Sequence, residues 1–183
     1  MMLRTLYTLL FLVFLAACAT TQHTAKAPET FQQKLAAYCG KSFAGQTIYP
    51  EGNTDPFAGK ALVIHVQSCD ETGIRIPFHV GEDRSRTWVL TNMPDGLQLK
   101  HDHRHEDGTP DEVTMYGGIS TLPADSLAQR FPADVFTAEL LPAAATNEWT
   151  MALSPDGKTF SYILKRDGKL RYRADFDLTK PLN

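Results

Sequence analysis

From residue 60 onward the chain alternates apolar and polar residues in short runs separated by turn formers. That is the period of strands with one face in a core and the other in water. Lys60–Cys69 is rich in β-branched residues, Asp70–Gly73 supplies a turn, and Ile74–Val80 follows, so the two runs read as a hairpin. Further strands are expected at Thr87–Asn92 and, after Pro94-Asp95-Gly96, at Leu97–His103, with weaker patterns at Val113–Gly117 and Val135–Leu141. The carboxyl end is the clearest, with Trp149–Leu153, a turn over 154–157, Thr159–Arg166, a turn at Asp167-Gly168, and Leu170–Leu178. In the last run Leu170, Tyr172, Ala174, Phe176 and Leu178 share one face, while Arg171, Arg173, Asp175 and Asp177 share the other. Helical spacing occurs in Glu29–Tyr38, through Phe31, Leu35 and Tyr38, and a second short helix is expected at Pro123–Arg130.

About nine or ten short strands joined by tight turns describe a mainly β fold, a single antiparallel meander with one short N-terminal helix. An up-and-down barrel of the lipocalin-like kind would remove the edges that an open sheet of this size must protect. A two-layer sandwich uses the same strands, and strand counting does not separate the two. Pro77 inside an expected strand calls for an edge or a bulge. No internal repeat marks a second domain.

Ahead of this lies a different pattern. Arg4 precedes the apolar run Leu6–Leu15, and a helix over the 13 residues from Thr5 to Ala17 would rise only about 20 Å, against roughly 30 Å of hydrocarbon. A secretion signal over 1–17 fits better than a spanning anchor. The run closes with Leu15-Ala16-Ala17-Cys18, which resembles the lipobox of bacterial lipoproteins. The resemblance implies that Cys18 is lipidated as the first residue of the mature chain. It also implies that Ala19, in place of the aspartate of inner-membrane lipoproteins, directs a Gram-negative protein to the periplasmic face of the outer membrane. Residues 18–28 then read as a small, polar tether and 29–183 as the β-rich domain.

Charge and cysteine content sharpen this picture. Eighteen basic residues against 21 acidic ones leave a net charge of −3, with no basic surplus for phosphates, so nucleic acid is not expected as a partner. Assigning Cys18 to a lipid leaves Cys39 and Cys69, for which pairing is the default in an oxidising compartment; a bridge would close a loop of about 30 residues. Their spacing is not that of a CxxC redox pair or a zinc ribbon.

Five of the six histidines fall between residues 65 and 105. Extending the strand from Leu97 by its period of two puts Leu97, Leu99, His101, His103 and His105 on one face, and Gln98, Lys100, Asp102, Arg104 and Glu106 on the other. Adjacent imidazoles on such a face could share a transition metal such as zinc, with His79 or His65 from the neighbouring hairpin as a further ligand and Glu106 or Asp102 behind them. A His-x-His on a strand is similar to the metal pairs of cupins and carbonic anhydrases, but the glutamate of the cupin motif is replaced by Thr109 and Pro110. The structural alternative makes 103–112 a solvated hairpin tip, with His101 satisfied by a neighbouring carboxylate. The segment 88–118 also resembles that of secreted bacterial β-domain proteins of no assigned activity, and no residue role carries over from them.

Nucleophile elbows, phosphate loops and zincin helices are absent from the sequence, and Glu82–Arg86 reads as a solvated turn. Two functional classes follow. One is a non-enzymatic, lipid-anchored envelope protein that binds a small apolar ligand or an envelope protein, with Trp149 and Phe176 lining a cavity. The other is a metal-binding protein or metal-dependent enzyme built on His101, His103 and His79 or His65.

Overall fold

The computed structural model describes residues 27–50, 56–57 and 59–182. The signal segment, Cys18 and most of the tether lie outside the described residues. Helix α1 (Phe31–Ala36) is followed by strands β1 (Ser42–Tyr49), β2 (Leu62–His65), β3 (Ser68–Cys69), β4 (Gly73–Val80), β5 (Asp83–Met93), β6 (Gly96–His103), β7 (Tyr116–Ile119) and β8 (Ala128–Pro132). Helix α2 (Val135–Leu140) and a 3-10 turn (Pro142–Ala144) precede β9 (Asn147–Leu153), β10 (Thr159–Arg166) and β11 (Lys169–Leu182).

The strands form one antiparallel sheet in the order β7-β6-β5-β4-β2-β1-β11-β10-β9-β8, with β3 paired to β4 beside β2. Neighbours in sequence are neighbours in space, and the first and last strands pair with each other, so the meander curls into a nearly closed barrel. The remaining seam, between β7 and β8, is joined by single hydrogen bonds. Thr121 N–H donates to the Arg130 carbonyl at 3.0 Å, and Asp134 N–H to that of Gly117 at 2.9 Å. The two backbones approach so closely at Gly118 that an added Cβ would lie 1.8 Å from the Pro132 carbonyl oxygen.

Alternation fills the interior. Ile74, Ile76, Phe78 and Val80 of β4 and Trp149, Met151 and Leu153 of β9 are buried on the inner face, as are Tyr172, Ala174, Phe176 and Leu178 of β11. In the middle layer the Trp88 ring is stacked between Phe78, at 4.7 Å, and Tyr162, at 4.4 Å, while Phe176 meets it edge-on at 6.3 Å. These rings pack directly on one another across the middle of the barrel. One barrel end is plugged by α1, whose Phe31 and Leu35 are buried and whose start is capped by Thr30, with Gln33 returning the hydrogen bond. Among the described residues the whole core lies between Phe31 and Leu178, so a fragment of residues 27–183 carries all of it.

Several expectations need correction. Val135–Leu141 is helical, because the Asp134 side chain accepts from Thr137 N–H and caps the turn, while the buried Thr137 hydroxyl accepts from Gly117 N–H and donates to its carbonyl. Pro123–Arg130 is not a helix: it is turn, followed by β8, whose Gln129 and Phe131 point inward. Val113–Gly117 is displaced toward Tyr116–Ile119. Lys60–Cys69 is broken into β2 and β3, and Pro77 falls opposite that break. Strand β1 was not anticipated. Only Phe43 in it is fully buried, and two register irregularities against β11 disrupt its alternation.

Cys39 and Cys69 stand at disulfide distance, with sulfurs 2.14 Å apart and Cα atoms 6.1 Å apart, and tie the end of α1 to β3.

Candidate functional site

At the end of the barrel opposite α1 the described residues leave the interior open. A cavity of about 510 Å³ is bordered by Phe57, Tyr116, Trp149, Tyr162 and Tyr172, with Leu164, Ala143 and Ala144 beside them and Asn147, Arg166 and Arg171 at its mouth. The aromatic lining follows from register. Tyr116 opens β7, Trp149 stands near the start of β9 opposite Leu164 of β10, and Leu164 in turn is paired with Tyr172 of β11. Phe57 closes the wall by packing edge-on against Tyr172 at 5.3 Å and Phe78 at 5.8 Å.

Beneath this lining lies a polar pair. His101 is 3% exposed, and its Nδ1 is 3.1 Å from the Tyr116 carbonyl while its Nε2 is 2.8 Å from the Tyr162 hydroxyl. A carbonyl only accepts, so Nδ1 carries the proton, Nε2 accepts, and Tyr162 O–H donates to it. Burial pushes the His101 pKa down to about 3, with the nearby His103 and Lys100 acting in the same direction and the Tyr116 hydrogen bond opposing them. Burial also pushes Tyr162 well above the ordinary phenol range and Tyr116 up to about 12. The pair is therefore neutral at physiological pH. The His101 ring also stacks on Tyr116 at 4.6 Å and touches Trp149 at 5.1 Å, and the Tyr116 hydroxyl is 3.1 Å from His103 Nε2.

The five histidines singled out from sequence are distributed over three places. His101 and His103 continue the inner face of β6 as expected, His101 buried and His103 half-buried. His65 and His79 lie on the outer face, since Leu62 and Ile64 of β2 and Phe78 and Val80 of β4 are the inward residues. His65 Nδ1 is 2.7 Å from the Ser42 hydroxyl. The sheet thus separates these two from the β6 pair. His105 lies past the end of β6 in an exposed tip, where its imidazole and the Asp111 and Glu112 carboxylates stand within 4.8 Å of one another. Glu106 is exposed in the same tip. Asp102 is 3% exposed on the outer face, held by Arg75 at 2.8 Å and Arg104 at 3.1 Å, and hydrogen-bonds no histidine among the described residues. The partner of His101 is a phenol rather than the expected carboxylate, and among the described residues no acidic side chain hydrogen-bonds it.

Other expectations about the cavity hold in part. Trp149 borders it, but Phe176 belongs to the filled middle layer. Arg171, assigned by strict alternation to the outer face, reaches the cavity mouth because Leu164 pairs with Tyr172 and Lys165 with Leu170, which leaves Arg171 as the extra residue of a bulge. The alternation of Leu170–Leu178 carries no mark of that slip.

A wider groove of about 770 Å³ at the opposite end runs between α1 and the β5–β6 turn. Its walls include Thr30, Gln32, Gln33, Asp70, Glu71, Asn92 and Gln129, and it reaches no buried titratable pair. The smaller cavity combines concavity, aromatic walls and strongly shifted groups, and is the stronger candidate.

The chain matches no family model and no curated protein.

Proposed function

We propose that this protein is a lipid-anchored envelope protein whose barrel binds a small, largely apolar ligand in the aromatic cavity, without catalysis. The observation that carries this reading is the cavity itself, about 510 Å³ between Phe57, Tyr116, Trp149, Tyr162 and Tyr172 at a barrel end whose next layer is solidly packed. That is the size and surface of a small-molecule site. The neutral His101–Tyr162 pair underneath satisfies its own hydrogen bonds, so an apolar ligand above it strands no charge. The metal alternative loses support from the same geometry. Both nitrogens of His101 are engaged, and His65 and His79 lie across the sheet from it.

Anchoring through Cys18 rests on the Leu15-Ala16-Ala17-Cys18 box and the apolar run before it. Among the described residues no helix is long and apolar enough to cross a membrane. In a Gram-negative host the proposed address is the periplasmic face of the outer membrane, with Ala19 as the sorting residue. Three acyl chains on Cys18 would hold the protein firmly, since one alone gives only marginal binding.

Two measurements test these parts separately. Titration of the 27–183 fragment with N-phenyl-1-naphthylamine, read by energy transfer from tryptophan, is expected to saturate at one site, and Ala143→Phe at the cavity wall is expected to abolish it. Linear, unsaturable transfer that is the same in both proteins would refute the ligand site. For the anchor, Cys18→Ser is expected to move the protein from the membrane pellet to the soluble fraction; an unchanged pellet would contradict it.

A further inference from the structure

We propose that the ligand of this cavity is an organic anion with a planar aromatic body, its acidic group held by Arg166 and Arg171 at the mouth. This rests on the cavity being a ligand site and adds the ligand's charge and shape.

The two arginines come from the facing ends of a hairpin, Arg166 closing β10 and Arg171 following the start of β11. Arg166 Nε–H donates at 2.8 Å to Oδ1 of Asn147, its own cross-strand neighbour, and Asn147 is itself buried. That bond fixes the plane of the guanidinium and leaves both terminal nitrogens without a partner among the described residues. Arg171 forms no hydrogen bond or ion pair with any described residue. It is present at the mouth only because the bulge in β11 turns it there. A third arginine at this end, Arg86, behaves differently: it is paired with Asp83 and its guanidinium covers the Phe57 ring at 5.3 Å. Arg86 thus has its counter-charge from Asp83, whereas no described residue supplies one to the two arginines lining the cavity. Fork-shaped donors with free N–H pairs are matched to carboxylate or sulfonate oxygens.

The rest of the cavity fixes the body of the ligand. Apart from the arginines and Asn147 its polar lining is phenol and the Trp149 indole, and burial holds Tyr116 and Tyr162 neutral, so no charged group among the described lining residues competes with the mouth for the ligand's acid. Trp149, Tyr116, Tyr162, Tyr172 and Phe57 offer ring faces and edges on several sides, which favours a flat aromatic body over a flexible chain.

A matched pair of probes isolates the charge. 1-Anilinonaphthalene-8-sulfonate is N-phenyl-1-naphthylamine with a sulfonate added, so both share one body. On the 27–183 fragment at low salt the anion is expected to bind about tenfold more tightly or better, each charge-assisted contact being a factor of that order. Arg171→Gln and Arg166→Gln are each expected to weaken the anion by about tenfold and to leave the neutral probe within about twofold. Raising salt to 0.5 M on the unaltered fragment should weaken the anion selectively, a check that needs no variant. Equal affinities for the two probes, or equal losses of both in the arginine variants, would overturn the anion assignment while leaving the ligand site standing. Failure of both probes to bind would remove the site and the assignment together.

Discussion

His101 spends both of its ring nitrogens on the barrel, one on the Tyr116 carbonyl and one on the Tyr162 hydroxyl. Removing that hydroxyl with Tyr162→Phe leaves a buried acceptor unmet, and a loss of about 1–3 kcal/mol in urea unfolding is expected. The same burial predicts a pH dependence with a definite sign. With the ordinary value of 6.5 in the unfolded chain and about 3 in the folded one, the unfolded state binds the extra proton between those limits. Stability attributable to His101 is therefore intact above pH 6.5, falls as pH drops through that window by up to about 1.4 kcal/mol per unit, and levels off below pH 3. His101→Gln should flatten this part of the profile; an unchanged acid limb in the variant would show that His101 is not the group responsible. The inward direction of His101 was legible from Leu97 and Leu99 on the same face. Its partner was not, because Tyr162 lies 61 positions away and only the closure of the barrel brings it near.

At the scale of elements, the period-two runs and their turns were readable where each strand buries one full face, as in β4 and β9. The Asp167-Gly168 turn carries φ of 53° and 70°, the conformation that an Asp-Gly hairpin provides at least cost. The reading failed where a single polar contact decides the conformation. Val135-Phe136-Thr137 is a run of β-branched and aromatic residues of the kind found in strands, yet Phe136 is 50% exposed and Val135 74%, and the helix is set by the Asp134 cap and the Thr137 bonds to Gly117. Thr137→Val keeps the shape and removes both seam bonds, so a loss of about 2–3 kcal/mol is expected in chemical unfolding. Gly118→Ala drives a Cβ into the Pro132 carbonyl and should cost more than Thr137→Val, because the seam must open to admit it. If Gly118→Ala were neutral, the close approach of β7 and β8 would be wrong. Strand β1 escaped notice for a related reason. Gly45 stands where any side chain would strike the Phe176 ring, at 2.3 Å from an added Cβ, so the strand lacks the apolar residue that alternation would look for.

For the molecule as a whole, composition and alternation reached the fold class, and the choice of barrel over sandwich came from pairings that no local pattern records: β1 with β11, and the β7–β8 seam. The bridge expected between Cys39 and Cys69 is consistent with their separation and fastens α1, the plug of one end, to the sheet. Reducing it is expected to cost about 3–4 kcal/mol, by the loop of about 30 residues it would close, and to be seen as a lower urea midpoint with an unchanged fold. The plug also explains why function is placed at the far end, where aromatic residues from β7, β9, β10 and β11 line a cavity. That assignment is tested most directly by NMR of the 27–183 fragment titrated with N-phenyl-1-naphthylamine, following the indole N–H signals and the methionine methyls. The cavity site predicts that the Trp149 indole shifts and saturates while Met93, in the groove beside α1, stays in place. A saturating shift at Met93 with Trp149 unmoved would put the ligand at the opposite end and contradict the account.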